Sequence, residues 1–274
     1  GVEFLAGVEW HDIALKVLDY SGEAAIGHLA DPVINLPFSE HDDAVTEHYA
    51  IQALENHFSR NARVVTVQAG YLPRTYRNEY HHEIDPLVSI IIPNKDRLEL
   101  LEPCISTLIE KTAYKKYEII IADNQTTDPD VLQYYRRISD DYSFVRVVSY
   151  DHDFNFSAQC NLAACHAHGE YLLLLNNDTE IIHPEWLSRL LEHAQRPEVG
   201  VVGCRLIYPE TSKIQHAGVV LGMPNVDGVA DHPFLGTDLE KPGYMNRIQV
   251  VQNYSAVTAA CLMVRTTLYH EMNG

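Results

Sequence analysis

The chain has 274 residues, 46% hydrophobic and 21% charged, enough for one large domain or a domain with an appendage that buries a core without metals or disulfides. Lys and Arg number 20 against 38 Asp and Glu, a formal charge of −18 that argues against general binding of nucleic acid or anionic membranes. A phosphorylated ligand would need a local device to overcome that field, such as a divalent cation or a helix N-terminus. Five cysteines, at 104, 160, 165, 204 and 261, form no Cys-x-x-Cys pair and fit a reduced, cytoplasmic setting as small core residues. No apolar run approaches the ~18 residues of a membrane-spanning helix, and the start lacks the basic and apolar regions of a signal peptide. Peripheral attachment at the inner face of a membrane stays open.

In chain order, 12–18 and 44–58 have helical spacing, 62–67 reads as a strand, and the polar, aromatic stretch 71–85 reads as a linker. From Leu87 a βαβ rhythm begins. The β-branched run LVSIIIP (87–93) predicts a buried strand, and apolar residues at 98, 101, 105, 108 and 109 predict a helix to Thr112. YEIIIA (117–122) is a second strand. Asp128-Pro129 predicts an N-cap with proline at the first helical position, opening a helix to about Ser139. A strand at 144–149 follows, then a helix at 157–168 capped by Ser157 and ended by Gly169. The strand YLLLL (171–175), a helix at 184–195 and a strand at 199–206 continue the alternation. Residues 207–254, rich in Gly and Pro, predict loops and short strands, followed by a strand at 259–264 and a helix at 266–272. The fold class expected is α/β: a mostly parallel sheet with helices on both faces, preceded by a mainly helical extension.

In such sheets ligands gather at the carboxyl ends of the strands. Polar residues cluster there: Asn94 and Asp96, Asp123 and Asn124, and Asn176-Asn177-Asp178. A carboxylate at Asp178 suits a hard cation, Mn²⁺ or Mg²⁺, whose shell diphosphate oxygens and water complete. On the triplet alone a solvated turn is the commoner reading, since Asn and Asp favour turns. Asp123 suits a base N–H or a ribose hydroxyl, or else an Asx-turn. Lys95 and Asp96 also read as a surface loop, and Ser157 with Asn161 as ordinary capping; His216 is a lone imidazole near the expected pocket.

Seven ordered segments, PLVSIIIPNKDR, EIIIADNQTTDP, FNFSAQCNLA, GEYLLLLNNDTEI, RPEVGVVGCRLIYP, IQHAGVVLG and SAVTAACLMVRTTLY, together resemble family 2 glycosyltransferases over roughly 86–274. The likeness is strongest to the bacterial branch that builds rhamnose-containing and other cell-surface polysaccharides. The resemblance implies a GT-A (Rossmann-like) fold and an inverting transfer of sugar from a nucleotide-diphosphate donor, a dTDP- or UDP-sugar, to a glycan or lipid-linked glycan. It puts Asn176-Asn177-Asp178 at the family's DxD motif, with Asp178 as metal ligand and Asn176 where the family's first Asp stands. Asp123 matches the residue that contacts the base; Pro93, Asn94, Lys95 and Asp96 match the loop around the nucleoside; Asn161 matches a donor-side helix residue. Ser255, Thr258 and Ala259 fall in the segment beside the donor sugar and acceptor. The family's acidic motif with the general base lies downstream of the position of Gly274, so no catalytic base is expected within 87–274 and little transfer activity is expected of these residues alone.

Glu9 to Leu18 (EWHDIALKVL) resembles the acidic motif and helix near the end of another such domain, and 25–33 the strand after it. Asp12 would be the base of that preceding domain and His28 its metal-side histidine; an unrelated helical extension reads equally well. The organisation expected is an extension at 1–70, a linker at 71–86 and a transferase domain at 87–274. Two other functions stay open. One is a sugar nucleotidyltransferase, disfavoured because the loop Asn94-Lys95-Asp96-Arg97 has no Gly. The other is a non-catalytic nucleotide-sugar-binding or scaffolding module.

Overall fold

The computed structural model describes residues 9–27, 44–222, 229–243 and 246–274. The chain divides into two compact units, 1–82 and 83–274.

In the first unit, α1 (Glu9–Ser21) is followed by a 3₁₀ turn (Glu23–Ala25) and α2 (Ala44–Arg60). Asp19 ties the two helices, accepting from Arg60 Nε at 2.7 Å and Asn61 Nδ2 at 2.8 Å, with His57 Nδ1 2.6 Å away. Ala62 takes a left-handed φ of 52°, and the Arg63 amide returns to Phe58 O, so 62–64 serve the helix exit. The strand expected at 62–67 therefore begins later, as β1 (Val65–Ala69). The expected linker 71–85 contains a strand, β2 (Tyr76–Tyr80), antiparallel to β1 with Val65 opposite Tyr80 and Ala69 opposite Tyr76. Alternation in YRNEY puts Tyr76 and Tyr80 on one face, where they pack with Leu54, Phe58 and Val67. Residues 28–33, including His28, lie outside the described residues.

The second unit is built on a six-stranded sheet of order β5-β4-β3-β6-β12-β7. In chain order it comprises β3 (Val88–Asn94), α3 (Leu98–Lys111), β4 (Tyr117–Asp123), α4 (Pro129–Asp141), β5 (Val145–Ser149), α5 (Phe156–Ala164), β6 (Tyr171–Leu175), α6 (Trp186–Ala194) and β7 (Val201–Gly203). The short β8 (Leu206–Tyr208), β9 (Lys213–His216), β10 (Val220–Leu221) and β11 (Ala230–Asp231) follow, then β12 (Cys261–Arg265) and α7 (Thr266–Glu271). Strands β5, β4, β3 and β6 are parallel; β12 runs antiparallel between β6 and β7. The alternating α/β architecture, with helices on both faces, is as expected.

The apolar runs are continuous because both faces of these strands are covered. Ile90 and Ile92 face α3, α4 and α6, while Ile91 faces α5 and α7. Each of the three is fully buried, which stabilises the fold by roughly 1.5–3 kcal/mol per side chain. Three expected boundaries shift. Helix α5 is capped by Asn155, whose side chain accepts from the Ala158 amide, rather than by Ser157. It ends at Ala164, and Gly169 is no cap: a Cβ there would lie 2.6 Å from Ser89 N and 2.8 Å from Leu87 O. The strand expected at 199–206 splits into β7 and β8, which belong to different sheets.

At the amino-terminal end of β4, the buried Glu118 accepts from Ser89 Oγ at 2.5 Å and from the His168 amide at 2.7 Å, and pairs with Arg146 at 3.0 Å. Burial pushes this carboxyl up, but the bonds from Ser89 and His168 and the Arg146 charge outweigh it, leaving it below its ordinary 4.5. Its stabilising effect is therefore full above pH 4.5 and is lost as pH falls through the lower folded value. Glu118→Gln should lower stability by about 1 kcal/mol at pH 7, and that deficit should shrink on acidification. Urea melts of both proteins from pH 7 to pH 3 check this.

Candidate active site

The chain leaves β3 for β4 and β5 on one side, then returns to β6 on the other, so the carboxyl ends of β3 and β6 flank a topological switch point. Asn94 ends β3, Asp123 ends β4 and Asn176 follows β6. Asn94 and Asp123 are joined to Asn177, the residue after Asn176, by one line of hydrogen bonds. Asn177 Nδ2 donates to Asn94 Oδ1 at 2.6 Å, Asn94 Nδ2 to the Tyr135 hydroxyl at 2.8 Å, and that hydroxyl to Asp123 Oδ1 at 2.9 Å. Asn94 is 3% exposed and Asp123 7%. Buried polar groups of this kind persist only when bonded.

The loop after β3 is shaped by Asp96. Its Oδ1 accepts from the amides of Thr127 and Asp128 at 2.9 and 3.0 Å, and its own amide donates to Thr126 Oγ1 at 3.0 Å. Those backbone bonds hold the Asp96 carboxyl below its ordinary value. Asp96 and Arg97 both take left-handed backbone angles, φ 50° and 58°, a conformation that L residues adopt at a cost. Pro93 lies opposite Ala122 across the ladder, and Lys95 is exposed.

Beyond β6, Asn176 and Asn177 are half-buried and Asp178 is exposed. The Asn176 amide donates to Ala260 O at 3.0 Å, which fastens the end of β6 to the segment carrying Ser255, Thr258 and Ala259. That segment is held from below by His216, whose Nε2 accepts from the amides of Gly218 at 3.3 Å and Thr258 at 3.4 Å. Burial, with His232 facing it, brings the His216 pKa down to about 4. With Nε2 accepting, the proton sits on Nδ1 and points at His232 Nδ1, 3.0 Å away. His216 is thus a neutral support for the segment.

The expected residues are not all gathered. Asn161 on α5 accepts from the Tyr269 hydroxyl of α7 at 2.5 Å and lies against Gly274, and no bond ties it to the Asn94–Asp123 line. Asp12 belongs to the first unit, where it is fully buried and ion-paired with Lys16 at 2.6 Å. Two residues that bond to the strand ends, Tyr135 and Gln159, are absent from the sequence reading, whereas Asn124 is among the strand-end polar residues it names. Tyr135 is missed because its position on α4 matches that helix's apolar stripe. Gln159 donates to Ala122 O at 2.6 Å, and Asn124 donates to the carbonyls of Tyr150 and His152 at 3.2 and 2.8 Å. A polar residue on the core-facing side of a helix, as Gln159 is, was the available signal.

Among the described residues no group of three or more His, Cys, Asp or Glu is placed to hold a metal ion, and no helix is long and apolar enough to cross a membrane.

Comparison with known proteins supplies the family. The profile of Glycosyl transferase family 2 matches residues 89–261. An uncharacterised protein, y4gI, of Sinorhizobium fredii is 36% identical over 99% of this chain and 30% of its own length. The O-antigen biosynthesis protein RfbC of Myxococcus xanthus is 34% identical over 98% of this chain and 21% of its own. The chain thus spans less than a third of either relative. Among solved structures, S. aureus TarS (1–349) aligns with a TM-score of 0.44 at 17% identity, over 68% of this chain and 49% of that one. With the profile covering the whole span from β3 into β12, the chain belongs to glycosyl transferase family 2.

Proposed function

We propose that residues 87–274 bind a nucleotide-diphosphate sugar at the carboxyl ends of β3, β4 and β6 and belong to an inverting transferase acting on a glycan acceptor. The hydrogen-bonded line Asn177–Asn94–Tyr135–Asp123 at the switch point carries this reading, because it ties together the strand ends proposed to hold the nucleoside and the diphosphate. At one end Asp123 accepts from the nucleoside, framed by Pro93, Asn94, Lys95 and Asp96. At the other, Asp178 faces the diphosphate, with Asn176 and Asn177 shaping the turn. Ser255, Thr258 and Ala259 border the donor sugar and acceptor, and Asn161 supports the donor side through α5. The name of the RfbC relative, an O-antigen biosynthesis protein, supports a cell-surface polysaccharide as the product; the donor class proposed is a dTDP- or UDP-sugar.

A single exposed carboxylate flanked by two amides fits Mn²⁺ or Mg²⁺. Such ions are commonly held by one or two carboxylates together with substrate phosphates and water, not by a protein cage. When bound, the ion neutralises charge on the departing nucleoside diphosphate. Asp178 orients the diphosphate, and Asp123 fixes the nucleoside. The acceptor hydroxyl then displaces the diphosphate from the opposite face of the anomeric carbon in one step, which inverts configuration.

The reading assigns no general base within 87–274. A longer chain carrying the family's downstream acidic motif should transfer sugar at least about 10²-fold faster than these 274 residues, measured as product formed from radiolabelled donor. Equal rates would remove the base from the scheme, and inertness of both would favour a non-catalytic binding module. Asp178→Ala should abolish Mn²⁺-dependent binding of nucleoside diphosphates; unchanged calorimetric affinity would refute the metal role.

We further propose that 1–70 is the tail of a preceding transferase domain, with Asp12 its base once released from Lys16. Alignment of two much longer relatives along both units supports this. The parent reading frame upstream should then encode a second set of the same motifs, and their absence there would overturn the idea.

A further inference from the structure

Tyr135 sits on α4 with 5% of its surface exposed. For packing alone a phenylalanine ring would serve, without the cost of burying a hydroxyl. The hydroxyl therefore needs its own account. Its bonds have a fixed direction. The Asn94 nitrogen can only donate, and its orientation is set independently by the Asp96 carbonyl at 2.9 Å and by Asn177, which donates to the other end of the amide. The Tyr135 proton is left to Asp123 Oδ1. The other carboxylate oxygen, Oδ2, meets the Thr126 amide at 3.3 Å, a long bond. A carboxylate has about four acceptor sites, and one on each oxygen is taken; the shorter Tyr135 bond holds Oδ1, while Oδ2, with only the long Thr126 bond, is the oxygen more readily engaged by a further donor.

We propose that Tyr135 is a positioning residue for the nucleoside end of the donor site, locking Asp123 Oδ1 so that Oδ2 is presented to an N–H or O–H of the nucleoside. This rests on the donor-site reading of Asp123. Tyr135 touches no donor atom; it acts through the carboxylate. Its contribution is therefore specific to the nucleoside and absent for the diphosphate alone.

The test is calorimetric titration, in Mn²⁺, of the unmodified chain and of Tyr135→Phe, Asp123→Asn and the double variant. The probes are pyrophosphate and whichever of UDP, dTDP or GDP the unmodified chain binds most tightly; circular dichroism checks that each variant is folded. Tyr135→Phe should weaken the nucleotide about tenfold and leave pyrophosphate unchanged. It should add no further loss to Asp123→Asn, since the two act as one unit. Unchanged nucleotide affinity, parallel loss of nucleotide and pyrophosphate, or additive losses in the double variant would each overturn the role of Tyr135 while leaving the donor site standing. If Tyr135→Phe alone fails to fold, rescue of folding but not of nucleotide binding by a stabilising background supports the role, and full rescue of both overturns it. Failure of the unmodified chain to bind any of the nucleotides would overturn the donor-site reading and this inference together.

Discussion

Asn94 is buried where the central strand of the sheet runs out, and every polar atom of its amide must find a partner there. Its nitrogen donates to Tyr135 and to the Asp96 carbonyl, its oxygen accepts from Asn177, and its backbone carbonyl accepts from the Asn124 amide. One residue, through its side chain and its carbonyl, thereby fixes the ends of β3, β4 and β6 and the loop after β3 relative to one another. A buried amide with all these bonds made is rigid, and with any of them missing it costs free energy. The precision of the site follows from that requirement.

The rest of the second unit serves the same edge. The Ile90–Ile92 run holds β3 between two apolar layers, so its end cannot drift. The antiparallel β12 lies against β6, and Ala260, the residue before it, receives the Asn176 amide. His216, kept neutral by burial, steadies the Thr258 amide from below. In a chain of net charge −18, an edge that gathers Asp96, Asp123 and Asp178 repels a bare diphosphate. That is the electrostatic reason a cation belongs in the proposed donor complex.

Much of this was legible beforehand. LVSIIIP, YEIIIA and YLLLL are short continuous apolar runs bounded by polar residues, and strands buried on both faces require just that pattern. The N-cap at Asp128 was equally plain, since proline at the first helical position leaves few alternatives. Elsewhere local signals competed. Asn155 and Ser157 are both good caps two residues apart, and in the fold it is Asn155 whose side chain accepts from the Ala158 amide. YRNEY has too few apolar residues to announce a strand; β1 and the Phe58 cluster make it one. Gly169 looked like a helix cap, whereas its lack of a Cβ serves a close approach to Ser89 from a distant strand.

Most strands and helices from β3 to α6, and the polar residues at their strand ends, were readable in the chain alone, because periodicity and local turn chemistry are written residue by residue; the ordered motifs added the family. Which of those residues meet depends on the folded chain. Asn94, Tyr135 and Asn177 lie 41 and 83 positions apart in pairs, and no local pattern encodes a bond across such distances. They meet because the chain reverses its winding at β3, bringing β6 back beside it.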